Sequence, residues 1–220
     1  MIKTIELFPG VTLRCCRDTR FKQSVLSLQF LRPMCREEAS LNALLPAVLL
    51  RGTKSCPDMR SITLKLDDLY GASVGALVRR IGDIQCTGLS CGFLDDRYAM
   101  EGDRVLAPMI EFLGQLLLDP SLEQDLFRTD YLESEKRNLI LAIESRRNDK
   151  RVYASGRLLK IMCAADTFGL PRLGEAEQVA AIGARELYAH YRKILRESPI
   201  HIFYVGSADS EYVAGLLKPI

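Results

Sequence analysis

Residues 40–53 read SLNALLPAVLLRGT, the longest apolar block in the chain. Ser40 can cap a helix, and Arg51-Gly52 is a natural helix end. Between them Leu41, Ala43, Leu44, Leu45, Ala47, Val48, Leu49 and Leu50 leave almost no polar face. The pattern predicts a helix buried on nearly all sides, at the centre of the fold. Pro46 lies inside it. A proline there removes one backbone donor and clashes with the preceding turn, at a cost of about 3 kcal/mol or more unless the helix bends.

Upstream, Pro9-Gly10 marks a turn, and Val11 to Cys15 alternates as a strand. Ser24 to Leu31 alternates too, and these two strands are expected to pair. Downstream, Pro57-Asp58 opens a second helix that carries Met59, Ile62, Leu66 and Leu69 on one stripe and ends at Tyr70-Gly71. Ala72 to Arg80 and Ile84 to Phe93 form a hairpin across Gly82-Asp83. Its glycines suggest close backbone approach to packed helices. Asp95 and Asp96 read as a solvated turn. Helices are expected over 103–118, 122–147, 152–164 and 185–195, then a strand over 200–205 and a last helix over 210–217. This order predicts an α+β domain, a mostly antiparallel sheet covered by helices. No GxGxxG or GxxxxGK[ST] follows a strand, which argues against a doubly wound nucleotide-binding sheet.

The chain has 220 residues, 48% hydrophobic and 26% charged, enough for one sizeable core. A net charge of +2 gives no general attraction to nucleic acid or membrane. The basic clusters Arg79-Arg80 and Arg146-Arg147 with Lys150-Arg151 lack the interleaved aromatics of a strand-binding groove. No apolar run reaches the ~18 residues of a membrane span. The first residues, MIKTIELFPG, carry no signal-peptide core. Seven scattered cysteines without a CxxC pair fit reduced thiols in a cytoplasm.

With its flanks, the central block resembles the motif helix of pitrilysin/insulinase-type zinc peptidases, relatives of mitochondrial processing peptidase. Their buried helix carries His-x-x-Glu-His, followed by apolar residues and basic-Gly-Thr. Further likeness lies in Leu69-Tyr70-Gly71-Ala72-Ser73, Leu116-Leu117-Leu118-Asp119-Pro120, Glu135-Lys136-Arg137, Phe168-Gly169, Arg172-Leu173-Gly174-Glu175, Tyr191-Arg192-Lys193 and Tyr204-Val205-Gly206. These stand in the family's order along nearly the whole chain. The nearest subgroup is the YmfF-like branch of Gram-positive bacteria, which lacks the zinc motif. The resemblance implies a LuxS/processing-peptidase-like fold. It also implies that residues 1–220 are a single peptidase-like domain, the N-terminal half of a longer protein.

Anchoring the resemblance on Arg51-Gly52-Thr53 puts the two histidine positions at Ala43 and Ala47 and the glutamate position at Pro46. The third ligand position falls at Ala142, seven residues after Glu135, and Glu144, two residues further on, would point about 200° around the helix from it. A peptidase zinc needs three ligands, an open position for water and a base to reach that water. Alanine supplies no donor and proline no base. The reading is therefore a catalytically inactive domain with no catalytic residue, metal or cofactor. It would serve as a non-catalytic subunit or peptide-binding partner of an active zinc-peptidase relative, or of the second half of its own chain. An extended peptide could add to the sheet edge. Two alternatives stay open. One is an active zinc metalloendopeptidase whose ligands include His190 or His201, beside Glu133, Glu135 or Glu144. The other is a homodimeric scaffold without peptide ligand.

Overall fold

The computed structural model describes residues 2–219; Met1 and Ile220, the ends of the expected domain, lie outside the described residues. The elements run β1 (Ile2–Phe8), β2 (Val11–Arg17), β3 (Gln23–Pro33), α1 (Arg36–Leu49), α2 (Met59–Asp68), β4 (Ser73–Ile81) and β5 (Ile84–Leu94). Then follow α3 (Leu106–Leu118), the short β6 (Leu122–Glu123) and β7 (Leu126–Phe127), α4 (Thr129–Ser145) and α5 (Lys150–Met162). The chain closes with α6 (Ala176–Ala181), α7 (Ala184–Glu197), β8 (Ile200–Gly206) and α8 (Ser210–Leu217).

Six strands form one sheet in the order β1-β2-β8-β3-β5-β4. Only β2 and β8 run parallel; the other neighbours are antiparallel. The α+β architecture with a helix-covered, mostly antiparallel sheet is as the patterning predicts. Strand alternation decides the core face. Leu13, Leu26, Leu28, Phe30, Leu89, Phe93, Ile202 and Tyr204 point into one cluster with the apolar sides of α1, α3, α7 and α8. No helix among the described residues is long and apolar enough to cross a membrane.

The expected pairing of β2 with β3 is wrong. Strand β8 lies between them, so Leu13 faces Ile202 and Ile202 faces Leu28. Sequence neighbours usually pair, and here a strand from the far end of the chain displaces that default. β1, unread in the sequence, supplies β2 with its antiparallel partner. Helix α1 begins at Arg36, before Ser40. Residues 36–39 are good helix formers, and Ser40 sits inside, its Oγ donating to Gln178 Oε1 at 3.2 Å. The helix expected from 122 starts only at Thr129, because Gln124 and Asp125 adopt positive φ (50° and 60°) in the β6–β7 turn. α6 was also unread.

Asp95 and Asp96 are structural rather than solvated. Asp95 is 2% exposed and accepts from Ser24 Oγ, Ser207 N and Oγ, and Arg97 Nε. Asp96 Oδ1 accepts from the backbone of Val105 and Leu106 at 2.8 and 2.9 Å, covering free donors at the start of α3. Among the hairpin glycines, Gly88 makes the close approach, and it approaches a strand: a Cβ there would lie 2.0 Å from Leu28 O. Gly71, Gly75 and Gly82 face open space.

Candidate functional site

The α1 helix holds the sequence-predicted positions in one continuous run. Ala43 and Pro46 are buried, and Ala47 is half-buried. Helix α4 packs against α1, and Ala142 lies exposed on it. The helices are tied at one end by Arg51, which pairs with Glu135 and donates to Ser134 Oγ at 3.0 Å. Glu135 is thus engaged between helices, and Glu133 pairs with Lys136 at 2.8 Å.

The frame residues after α1 each hold structure. A Cβ on Gly52 would lie 2.6 Å from Pro57 O. Thr53 is fully buried, bridges to Pro120, and accepts from Cys56 N at 2.9 Å. Folding alone keeps Arg51-Gly52-Thr53 in place, whatever the chemistry at Ala43 and Ala47.

Pro46 is accommodated by a side chain from the sheet. Lacking an N–H, it leaves the carbonyl of Asn42 without its intrahelical donor. Thr87 Oγ1 of β5 donates to that carbonyl at 2.5 Å. The same asparagine centres a buried chain of hydrogen bonds. Its Nδ2 donates to Gln85 Oε1 at 2.8 Å, so its Oδ1 is the acceptor for His190 Nε2–H at 2.8 Å. Gln85 Nε2 then donates to the carbonyls of Ala39 (3.0 Å) and Arg172 (2.7 Å). Every donor finds an acceptor, which is what a buried polar cluster requires. Burial lowers the His190 pKa to about 4, with Glu38 opposing and Arg32 and Lys193 reinforcing. The imidazole is neutral and its Nε2 is spent.

Asn42, Gln85 and Thr87 were missed in the sequence. The available signal was Asn42, the single polar residue in 41–50.

His201 stands elsewhere. On β8 its neighbour Ile202 points into the core, so His201 points to the opposite sheet face, where Arg14 Nη1 lies 3.4 Å from its Nδ1. Burial, then Arg14, lowers its pKa. His190 lies on the helical side, in hydrogen-bond contact with α1. The two histidines therefore stand on opposite sides of the sheet and do not meet. The donors present do not fit a peptidase zinc: Ala43, Ala47 and Ala142 offer no ligand atom, and Pro46 offers no base. Among the described residues no group of three His, Cys, Asp or Glu side chains is placed to hold a metal ion. The thiols on β5 are poor nucleophiles, since burial raises both and pushes Cys91 up to about 12. Tyr70, at the end of α2, is held by Asp103 and accepts from Met100 N at 3.1 Å.

No protein-family profile matches the chain. It is 32% identical over 204 residues to the "Probable inactive metalloprotease YmfF" of Bacillus subtilis (strain 168), a match covering 93% of the chain and 48% of that protein. The chain thus spans about half the length of this relative. Among solved structures, a conserved protein from Enterococcus faecalis V583 superposes with a TM-score of 0.92 and 26% identity, over 99% of this chain and 51% of that one. The peptidase M16 inactive domain from Pseudomonas fluorescens shares the fold, with a TM-score of 0.75 and 17% identity over 100% of this chain and 50% of that one. With its α1 helix, its Arg51-Gly52-Thr53 segment and the α4 helix packed against it, the chain has the fold of peptidase M16 domains and is similar over nearly its whole length to a relative named a probable inactive metalloprotease.

Proposed function

We propose that this chain is a non-catalytic peptidase-fold unit, a subunit or peptide-binding partner for an active zinc-peptidase relative or for a second unit of its own protein. The observation that carries the reading is the combination on α1: the helix, its Arg51 tie to Glu135 and the buried Thr53 are intact, while Ala43, Pro46, Ala47 and Ala142 hold neither ligand nor base. The reading treats residues 1–220 as one domain and as the first half of a longer cytoplasmic protein. The half-length match to the Bacillus relative and seven free cysteines are consistent with it.

Extended peptide has a place to dock. β4 lies at the sheet edge beside α1, and β5 is its one strand neighbour among the described residues. An edge strand offers unpaired backbone groups that an incoming strand can satisfy. Held there without a metal-bound water, a peptide is retained and not cut.

The test is co-purification of this chain with an active relative from the same cell, with turnover of a quenched-fluorescence peptide measured with and without it. A stable complex and a changed turnover are expected. Failure both to co-purify and to alter turnover counts against the proposal.

A further inference from the structure

Helices α4 and α5 and the loop 168–175 line a cleft of about 410 Å³. Its size falls within the ~300–1,000 Å³ of ordinary ligand pockets. Six basic side chains and a single carboxylate, Glu175, line it, in a chain whose net charge is only +2.

Three of these cations build the walls. Arg80 stacks 4.6 Å over Phe168 and donates to the carbonyls of Thr167, Phe168 and Leu170. Arg172 Nη1 donates to Val78 O at 2.7 Å, and Lys160 pairs with Glu175 at 2.8 Å. The loop is thereby pinned to β4 and α5, so the cleft is preformed. The other three, Arg146, Arg147 and Arg157, have no side-chain hydrogen-bond or ion-pair partner among the described residues. Gly156 lies beside one of them: a Cβ there would stand in ordinary contact, 3.8 Å from Arg146 Nη2. Three like charges around one concavity repel each other, and an anion entering it relieves that.

The occupant must also meet apolar surface. Tyr153, Leu159 and Phe168 line the cleft with 46%, 42% and 44% of their surface exposed. No residue of α5 is buried. Because Arg80 belongs to β4, the cleft adjoins the C-terminal end of the edge strand proposed above for extended peptide.

We propose that this cleft selects acidic peptide segments, with carboxylates meeting Arg146, Arg147 and Arg157 and interleaved apolar side chains resting on Tyr153, Leu159 and Phe168. The inference rests on the reading that the chain holds peptide without cleaving it. Guanidinium forks suit carboxylates, and three arginines, two in the turn after α4 and one on α5, match several carboxylates on one chain better than one isolated anion.

Fluorescence anisotropy tests it on the purified chain, with a fluorescein-labelled hexapeptide of alternating glutamate and phenylalanine and its glutamine counterpart. The glutamate peptide is expected to bind about tenfold or more tightly at low salt and to weaken as salt rises. The double reversal Arg146→Glu/Arg157→Glu, at two side chains without an ion-pair partner among the described residues, should abolish the preference without changing the thermal melt. Equal binding of the two peptides, or a preference that survives the reversal, overturns the proposal. Full displacement by millimolar inorganic phosphate overturns it too, in favour of a simple anion site. If wild type prefers neither peptide yet co-purifies with the active relative, this inference fails and the partner reading stands.

Discussion

At the scale of residues, the most informative position is Pro46. A glutamate there would keep its N–H and leave Asn42's carbonyl in the helix ladder; proline exports that carbonyl to Thr87 across to the sheet. Thr87→Val should strand a buried acceptor and cost about 1–3 kcal/mol of stability by urea unfolding. In a Pro46→Ala background the restored N–H covers Asn42's carbonyl, so the same Thr87→Val change should cost distinctly less. Equal costs in both backgrounds would show that the two residues are not coupled. The anomaly of a proline in an apolar helix was legible in the sequence. Its remedy was not, because it depends on the register that sets Thr87 beside Asn42, 45 residues away.

At the scale of elements, local patterning carried furthest where burial has one clear period. The β4–β5 hairpin, α2 with its Asp58 capping box, and α8 lie close to where periodicity put them. It failed where an element's role is set from outside. β1 shows a weak alternation because its open face carries Ile2 and Phe8 beside Thr4 and Glu6, and β8 intrudes between β2 and β3 from the far end of the chain. Asp96 belongs to this class: an aspartate in a turn became the acceptor for the first amides of α3, nine and ten residues on. Asp96→Ala should cost about 0.5–2 kcal/mol, read as a lowered melting temperature, and Asp96→Asn should recover most of it. An alanine variant as stable as wild type would remove the cap from the account.

At the scale of the whole molecule, the fold stands on buried polar ties as well as on the apolar core, and two of them titrate in separate windows. His190 is held near 4 against about 6.5 unfolded, so between those values only the unfolded chain binds the proton. Stability from His190 is complete above pH 6.5 and falls as pH drops toward 4, by on the order of 2–3 kcal/mol. Burial pushes Asp95 up, but hydrogen bonds from Ser207 and Arg97 outweigh it and hold the carboxyl at about 2. Its contribution is present above the usual 3.8 and is lost as pH falls through 2. Urea midpoints against pH should show both declines. His190→Gln, whose amide can still donate to Asn42, should erase the one between pH 6.5 and 4 and leave the lower one; an unchanged upper decline would mean His190 is not its source.

The same wholeness explains why a peptidase frame outlives peptidase chemistry. Arg51, Gly52, Thr53 and Asn42 hold α1 to α4, to Pro57, to Pro120 and to α7 and β5. Ala43, Ala47 and Ala142 have no donor atoms to contribute to such ties. The zinc content of the purified chain, measured after loading with excess zinc and desalting, tests this most directly. The account predicts far less than one zinc per chain. About one retained zinc per chain, lost in His190→Ala or His201→Ala, would contradict it and restore metal chemistry to the fold.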